Sequence, residues 1–281
     1  MIVSTFNMRG LGGRVKKSKI RELVRQNNVD FLAVQETKLE AITSNLCYSL
    51  CGGQYRDWVF RSSEGNSGGI LSIWRKSSGI VLFSFQGESY VGVCLEWGVE
   101  KTRCFVINVY SKCDLESKKR LWESLFQEHR SRGKGHGVWW GILMLCVGGM
   151  RGGGVNEGAS SSQLLEMNLF NCFINEVELE DLNVLGRRFT WYHPNGRSMS
   201  IIDKMLISDE RFYVWGDNTL WVLPRDVSDH CPLVLKNGGW DWGPKPFCFN
   251  NFWLQNRNFK GVVEEGWRNQ TVGGWMSFVL K

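Results

Sequence analysis

The sequence predicts an α/β fold in which two β-sheets pack face to face with helices on their outer sides. Three observations lead there. The chain opens strand–helix–strand. It continues as a series of short apolar segments separated by turns. Amphipathic helical stretches alternate with those segments.

Ile2 to Phe6 is a β-type run that ends in Asn7, followed by the loop Arg9-Gly10-Leu11-Gly12-Gly13. Ser18 to Asn27 reads as an amphipathic helix with Ile20, Leu23 and Val24 on one face and Ser18 as its cap. Phe31 to Gln35 is a second apolar strand, and it ends in Glu36. Gly68 to Trp74, Ile80 to Phe85, Val91 to Trp97 and Arg103 to Tyr110 are further β segments. Glu116 to His129 is helical, with Leu121, Leu125 and Phe126 on one stripe. Trp139 to Val147 is continuously apolar, as a buried central strand would be. Leu164 to Glu176 is helical. Phe189 to His193, Ile201 to Leu206, Trp221 to Leu223 and Pro232 to Leu235 complete the strands. Beyond Leu235 the pattern breaks at Asn237-Gly238-Gly239 and Gly243-Pro244. The expected division is a domain over 1–236 and a tail over 237–281.

Composition narrows the function classes. The net charge of +6 is compatible with a polyanionic partner, though ordinary surface charge explains it equally well. The nine Cys are odd in number and contain no Cys-x-x-Cys pair, which argues against a disulfide framework and a zinc site. A reducing compartment follows as the default. No apolar run approaches the length of a membrane span.

Several strands end in residues that carry chemistry. Asn7 follows the first strand, Glu36 the second, and Tyr110 closes Phe105 to Tyr110. Asp203 lies in Ser200-Ile201-Ile202-Asp203, and Asp229-His230 lies in Val227 to Leu233. Alone, each has an ordinary reading: an Asn after a strand is usually a turn residue, and Gln-Glu-Thr-Lys is usually a loop start. Ser228-Asp229-His230 before Pro232-Leu233 is more specific. Metal-assisted phosphodiester hydrolysis needs such groups at strand ends on one sheet edge: oxygen ligands for a hard cation, a base or its equivalent to position the attacking water, and donors for the charge of the transition state.

In this order, Phe6-Asn7-Met8-Arg9-Gly10, Gln35-Glu36-Thr37-Lys38, Asn108-Val109-Tyr110, Phe189-Thr190-Trp191, Ile202-Asp203 and Ser228-Asp229-His230 resemble the endonuclease/exonuclease/phosphatase family. The resemblance spans about residues 2 to 235. Arg188 to Tyr192 and Asn195-Gly196-Arg197-Ser198 look more specifically like the apurinic-type endonuclease domain of plant LINE-like, non-LTR retrotransposons. The tail, with Pro246 to Asn250 and Trp253, resembles the connector to a reverse transcriptase, and no such domain follows in this sequence. The resemblance implies a four-layer αββα sandwich of DNase I-like type and a magnesium site, with manganese as the substitute ion. It implies DNA as substrate, strand nicking as the reaction, a monomer, and an intracellular, nuclear location. Glu36 would be the main metal ligand, with Asn7 beside it and Asp229 at the same cation. His230 would contact the scissile phosphate, oriented by Asp203, and Tyr110 would donate to a phosphate oxygen. Arg9 and Thr190 would touch the nucleic-acid backbone.

One motif of the family is missing. Gly-Asp-x-Asn should fall between Tyr110 and Phe189, yet no Asp stands between Asp114 and Asp181. The codons GAT TTT AAT GCT encode Asp-Phe-Asn-Ala. Read one base later and followed by G, they encode Ile-Leu-Met-Leu, identical to Ile142 to Leu145. The run Gly148 to Gly154 fits continued out-of-frame reading, with sense restored near Val155. In the rival account Cys146 to Gly149 is the true strand end and Met150 replaces the Asp. Ile201 is a second departure, standing where the retroelement pattern has Arg. The expectation is an impaired nicking endonuclease. The alternatives are a non-catalytic DNA-binding remnant and an active phosphatase or phosphodiesterase of the same superfamily.

Overall fold

A computed structural model of the chain describes residues 1–65, 67–99, 101–133, 141–147, 161–196, 198–208, 218–237 and 258–268. β1 (Val3–Asn7) and β2 (Phe31–Gln35) are buried along their whole length, so both faces need cover. They pair in parallel, from Val3 opposite Phe31 to Asn7 opposite Gln35. The connection between them is α1 (Arg14–Gln26), which buries Ile20, Leu23 and Val24 as the periodicity predicts. The helix starts four residues before Ser18, at an extended Gly13 with no side-chain cap, so Ser18 is not the cap.

The two elements between Gln35 and Ser67 were not anticipated. α2 (Ser44–Cys51) is capped by Thr43, whose hydroxyl accepts from Leu46 N–H at 3.3 Å. β3 (Arg56–Glu64) is a partly buried edge strand whose mixed composition hides its period. β4 (Ser67–Arg75), β5 (Gly79–Gln86), β6 (Tyr90–Trp97) and β7 (Thr102–Ser111) follow as antiparallel neighbours or connections. Then come α3 (Leu115–Gly133), β8 (Gly141–Val147), α4 (Ser161–Glu176), β9 (Leu179–Asp181) and β10 (Val184–Gly186). The chain continues through β11 (Trp191–Tyr192), β12 (Met199–Ser200), β13 (Asp203–Ser208), β14 (Asn218–Val222) and β15 (Leu233–Asn237). The expected strand over 139–147 begins at Gly141 among the described residues; 139 and 140 lie outside them.

The strands form a seven-stranded sheet, β10-β14-β15-β1-β2-β4-β3, and a six-stranded sheet, β5-β6-β7-β8-β13-β9; β11 and β12 make a separate hairpin. Three apolar layers hold the stack. Val3, Phe31, Ala33, Trp74, Leu95, Val106, Met205, Ile207 and Leu233 fill the space between the sheets. Phe6, Leu32 and Val34, on the other face of β1 and β2, pack with Ile20, Val24 and Leu50 of α1 and α2. On the far side Phe105, Ile107 and Val109 meet Leu121 and Trp122 of α3 and Phe170 and Phe173 of α4. The order is helices, sheet, sheet, helices: the αββα arrangement expected from the sequence. Each fully buried Leu, Ile, Val or Phe in these layers stabilises by about 1.5–3 kcal/mol.

A polar seam crosses the inter-sheet layer. Gln35 Nε2 donates to Thr5 Oγ1 at 2.8 Å and to Asn108 Oδ1. Asn108 Nδ2 donates in turn to the Leu71 carbonyl at 3.1 Å and to Ser72 Oγ at 3.3 Å. All these side chains are buried, so their mutual satisfaction is what makes the seam tolerable. It ties β7 of one sheet to β1, β2 and β4 of the other.

Two compact units divide the chain, Met1–Gly238 and Gly239–Lys281. In the second, the described element is α5 (Phe259–Arg268). Cys47 and Cys51 form no disulfide, and burial raises the thiol of Cys47 to about 12 and that of Cys51 to about 11, so neither is reactive near neutral pH. No described helix is long and apolar enough to cross a membrane.

Candidate active site

Beyond Gln35, Glu36 takes a left-handed backbone conformation (φ 49°), as do Arg9 (φ 46°) and Lys38 (φ 55°). Such values are uncommon outside glycine and collect where a loop is held in one shape. Backbone bonds hold it here. Gly10 and Leu11 N–H donate to the carbonyls of Glu36 and Thr37, while Thr37 and Lys38 N–H donate to those of Gly69 and Gly68. The approach leaves no room for a side chain at Gly69 (φ +83°), where a Cβ would sit 2.3 Å from Thr37 Oγ1. The loops after β1 and β2 and the start of β4 therefore form one rigid edge.

On that edge Asn7 Nδ2 donates to Glu36 Oε1 at 3.0 Å, and Asn7 Oδ1 accepts from Arg9 N–H at 3.1 Å. Both side chains are buried, so Asn7 fixes the direction of the Glu36 carboxylate. Ser228 Oγ donates to the Asn7 carbonyl at 2.7 Å and accepts from His230 N–H at 3.2 Å, joining the loop before β15 to β1.

Asp203 and His230 form a buried pair. His230 Nδ1 lies 2.8 Å and 3.0 Å from the two Asp203 oxygens. Burial alone would lower the imidazole, but the Asp203 carboxylate outweighs it through charge and hydrogen bond. Asp229 and Glu36 add to that, so His230 stands above its ordinary value. Nδ1 is committed to Asp203, which leaves Nε2 as the nitrogen available to a substrate oxygen.

Asp229 accepts from Trp191 Nε1 at 2.9 Å and from the Arg9 guanidinium. Burial pushes its carboxyl up. The bonds from Arg9 and Trp191, with the nearby charge of His230, outweigh that and hold it below the usual carboxylate range. Arg9 also lies 3.8 Å from Glu36 Oε2, so one guanidinium bridges Asp229 and Glu36. Arg9, expected to contact a nucleic-acid backbone, lies here between the site's own carboxylates.

Thr190 is corrected more fully. It has no exposed surface, and its hydroxyl accepts from Ile202 N–H and Asp203 N–H, both at 3.0 Å. A buried hydroxyl does not reach a bound strand; Thr190 holds the segment that delivers Asp203. The backbone around it locks the same corner. Cys231 N–H donates to the Thr190 carbonyl at 2.7 Å, Tyr192 N–H donates to the Asp229 carbonyl at 2.9 Å, and Trp191 bridges His230. Tyr110 is half-buried at the end of β7, with its ring over Gly68. Trp191 was overlooked as a positioning residue, because the Asp229 it holds lies thirty-eight residues away.

β8 runs between β7 and β13. Cys146 is opposite Tyr110 on one side and Asp203 on the other. Ile142 is opposite Val106 and Ile207, four residues deeper, where both neighbours belong to the inter-sheet core. The positions written Asp-Phe-Asn in the other reading frame therefore occupy the middle of this strand. The strand end, level with Tyr110 and Asp203, is Cys146-Val147. Met150 lies outside the described residues.

Glu36 and Asp229 offer hard carboxylate oxygens on either side of one positive charge, with the Asn7 amide beside them. That donor chemistry fits magnesium, which commonly takes one or two carboxylates and completes its shell with water and phosphate. The described residues contain no group of three or more His, Cys, Asp or Glu able to hold an ion.

No family model matches the chain, and no curated protein matches it by sequence. Solved structures do match it in shape. An AP endonuclease from Leishmania major has a TM-score of 0.61 at 15% identity, covering 83% of this chain and 86% of its own. A 3′-5′ exonuclease from Neisseria meningitidis has 0.63 at 17%, covering 85% and 100%. The endonuclease domain of TRAS1, a telomere-specific non-LTR retrotransposon, has 0.59 at 12%, covering 85% and 99%. Layer order and these neighbours agree: the chain has the DNase I-like fold of the endonuclease/exonuclease/phosphatase proteins.

Proposed function

We propose that this chain is a metal-assisted DNA phosphodiesterase of retrotransposon origin, built to nick one strand and impaired at the step that activates the attacking water. The observation that carries the reading is the joint placement of Asn7–Glu36, Asp203–His230 and Asp229 on one rigid edge. A retrotransposon endonuclease domain among the structural neighbours supports the origin, as do the plant LINE-like segments around Trp191. Nuclear DNA would be the substrate.

Glu36 and Asp229 would hold magnesium, with Asn7 keeping Glu36 aimed. When bound, the cation supplies charge stabilisation at the phosphate. The chain's own groups would do the rest. His230, oriented by Asp203, would donate from Nε2 to a non-bridging oxygen, and Tyr110 would donate from the opposite sheet. Impairment follows from the sequence beyond β7: Gly141 to Asn156 contains neither Asp nor Glu. A missing general base costs roughly 10²–10⁴-fold.

The test is magnesium-dependent nicking of supercoiled plasmid by the unaltered chain and by two repaired versions. One carries Ile142→Asp, Leu143→Phe and Met144→Asn; the other carries Met150→Asp. Nicking by a repaired version alone, lost again on Glu36→Ala, is the expected result. The first repair reaches the edge only if β8 slides by four residues, a slide that keeps each side chain on its face; the second tests the rival account, in which Met150 replaces the Asp. Nicking by the unaltered chain that Glu36→Ala abolishes would end the impairment claim. Silence from every version in the presence of bound metal would end the nuclease claim. A second reading, DNA binding without turnover, is favoured by the same missing carboxylate together with the +6 charge. Salt-dependent binding with no product would select it.

A further inference from the structure

Resting on the metal-site reading above, we propose that Arg9 is the resident cation of the carboxylate pair and competes with a divalent ion for Glu36 and Asp229. The guanidinium donates to Asp229 Oδ2 and stands 3.8 Å from Glu36 Oε2, spanning the interval a bridging ion would occupy. Its two partners are fixed from behind, Glu36 by Asn7 and Asp229 by Trp191. They cannot turn away to release it, so occupancy is decided by the cation.

The side chains of Glu36 and Asp229 are 10% and 13% exposed, whereas that of Arg9 is 48% exposed. Arg9 can therefore swing into solvent, or onto a phosphate, without disturbing the core, and its departure opens the pair. The backbone of Arg9 stays put in either state. Lys16 Nζ donates to the carbonyls of Met8 and Arg9, and Arg9 N–H stays on Asn7 Oδ1. The moving part is the side chain alone. Two carboxylates facing each other would repel if Arg9 left with nothing in its place, so an empty pair is the least stable of the three states. The chain keeps its site assembled without metal, and the divalent ion must displace a charge already present.

The test is calorimetric titration of Mn²⁺ and Mg²⁺ into the unaltered chain, Arg9→Gln and Arg9→Lys, with thermal melts in chelator and in Mn²⁺. Glutamine keeps the reach and removes the charge. Arg9→Gln should bind Mn²⁺ at least about tenfold tighter, melt lower in chelator and recover in Mn²⁺. Arg9→Lys, a point charge without the planar fork, should fall between. Equal or weaker Mn²⁺ binding by Arg9→Gln would overturn the competition while leaving the metal site standing. Absence of binding by all three proteins, each with a cooperative melt, would remove the metal site and the competition together.

Discussion

On one side of the site, Asn7, Glu36, Asp229 and His230 are held by hydrogen bonds arriving from β1, β2, the Trp191 hairpin and β13. On the other side, β8 reaches the same edge with a register and no carboxylate. The difference teaches that architecture and chemistry have separate requirements. A strand needs an apolar run of the right period, which Ile142 to Val147 supplies. Water activation needs one side chain at one position.

The sharpest way to break this comparison is to put a charge on β8 opposite two core residues. Ile142→Asp alone should cost about 3–5 kcal/mol in urea unfolding, because it places a carboxylate level with Val106 and Ile207. A cost below about 1 kcal/mol would mean that the register is not the one described.

Next in size is the Asp203–His230 pair. A raised histidine contributes stability that is fully present below its ordinary value of 6.5 and is lost as pH climbs through the raised folded value. Asp203→Asn should therefore cost more at pH 6 than at pH 9, roughly 1.5–3 kcal/mol at the lower pH. A cost independent of pH would show that the pair contributes by shape alone.

The smallest effect concerns the seam under both sides. Asn108→Ala strands the Gln35 amide in a buried layer and should cost about 1–3 kcal/mol by thermal melt. If the repaired nuclease carrying this change also loses activity with its magnesium affinity intact, the seam sets the distance between the two sheets' contributions.

Much of the held side could be read in advance, because its residues follow apolar runs directly: Asn7 after Ile2 to Phe6, Glu36 after Phe31 to Gln35, Asp229-His230 before Pro232. Each alone has an ordinary turn or loop reading, so it is their order along the chain that points to a site. Thr190 was misjudged because its partners, the Ile202 and Asp203 amides, are distant in sequence and carry no side-chain signature. The ion pairs of Arg9 were illegible for a related reason. Its charge was visible, but nothing in Arg9-Gly10-Leu11 says that the loop aims it inward at Asp229. α2 escaped notice because its burial comes from two cysteines and one leucine over eight residues, too short for a period to stand out.

Thr5, Gln35, Ser72 and Asn108, the members of the polar seam, all lie N-terminal to β8. The floor of the site can thus close while β8 is still being synthesised, leaving β7 as an exposed rim with unsatisfied backbone groups. Whatever apolar stretch arrives next is recruited for its pattern and not for its identity. On the reading proposed above, a lesion confined to that stretch would leave the floor of the site in place and be felt only in turnover.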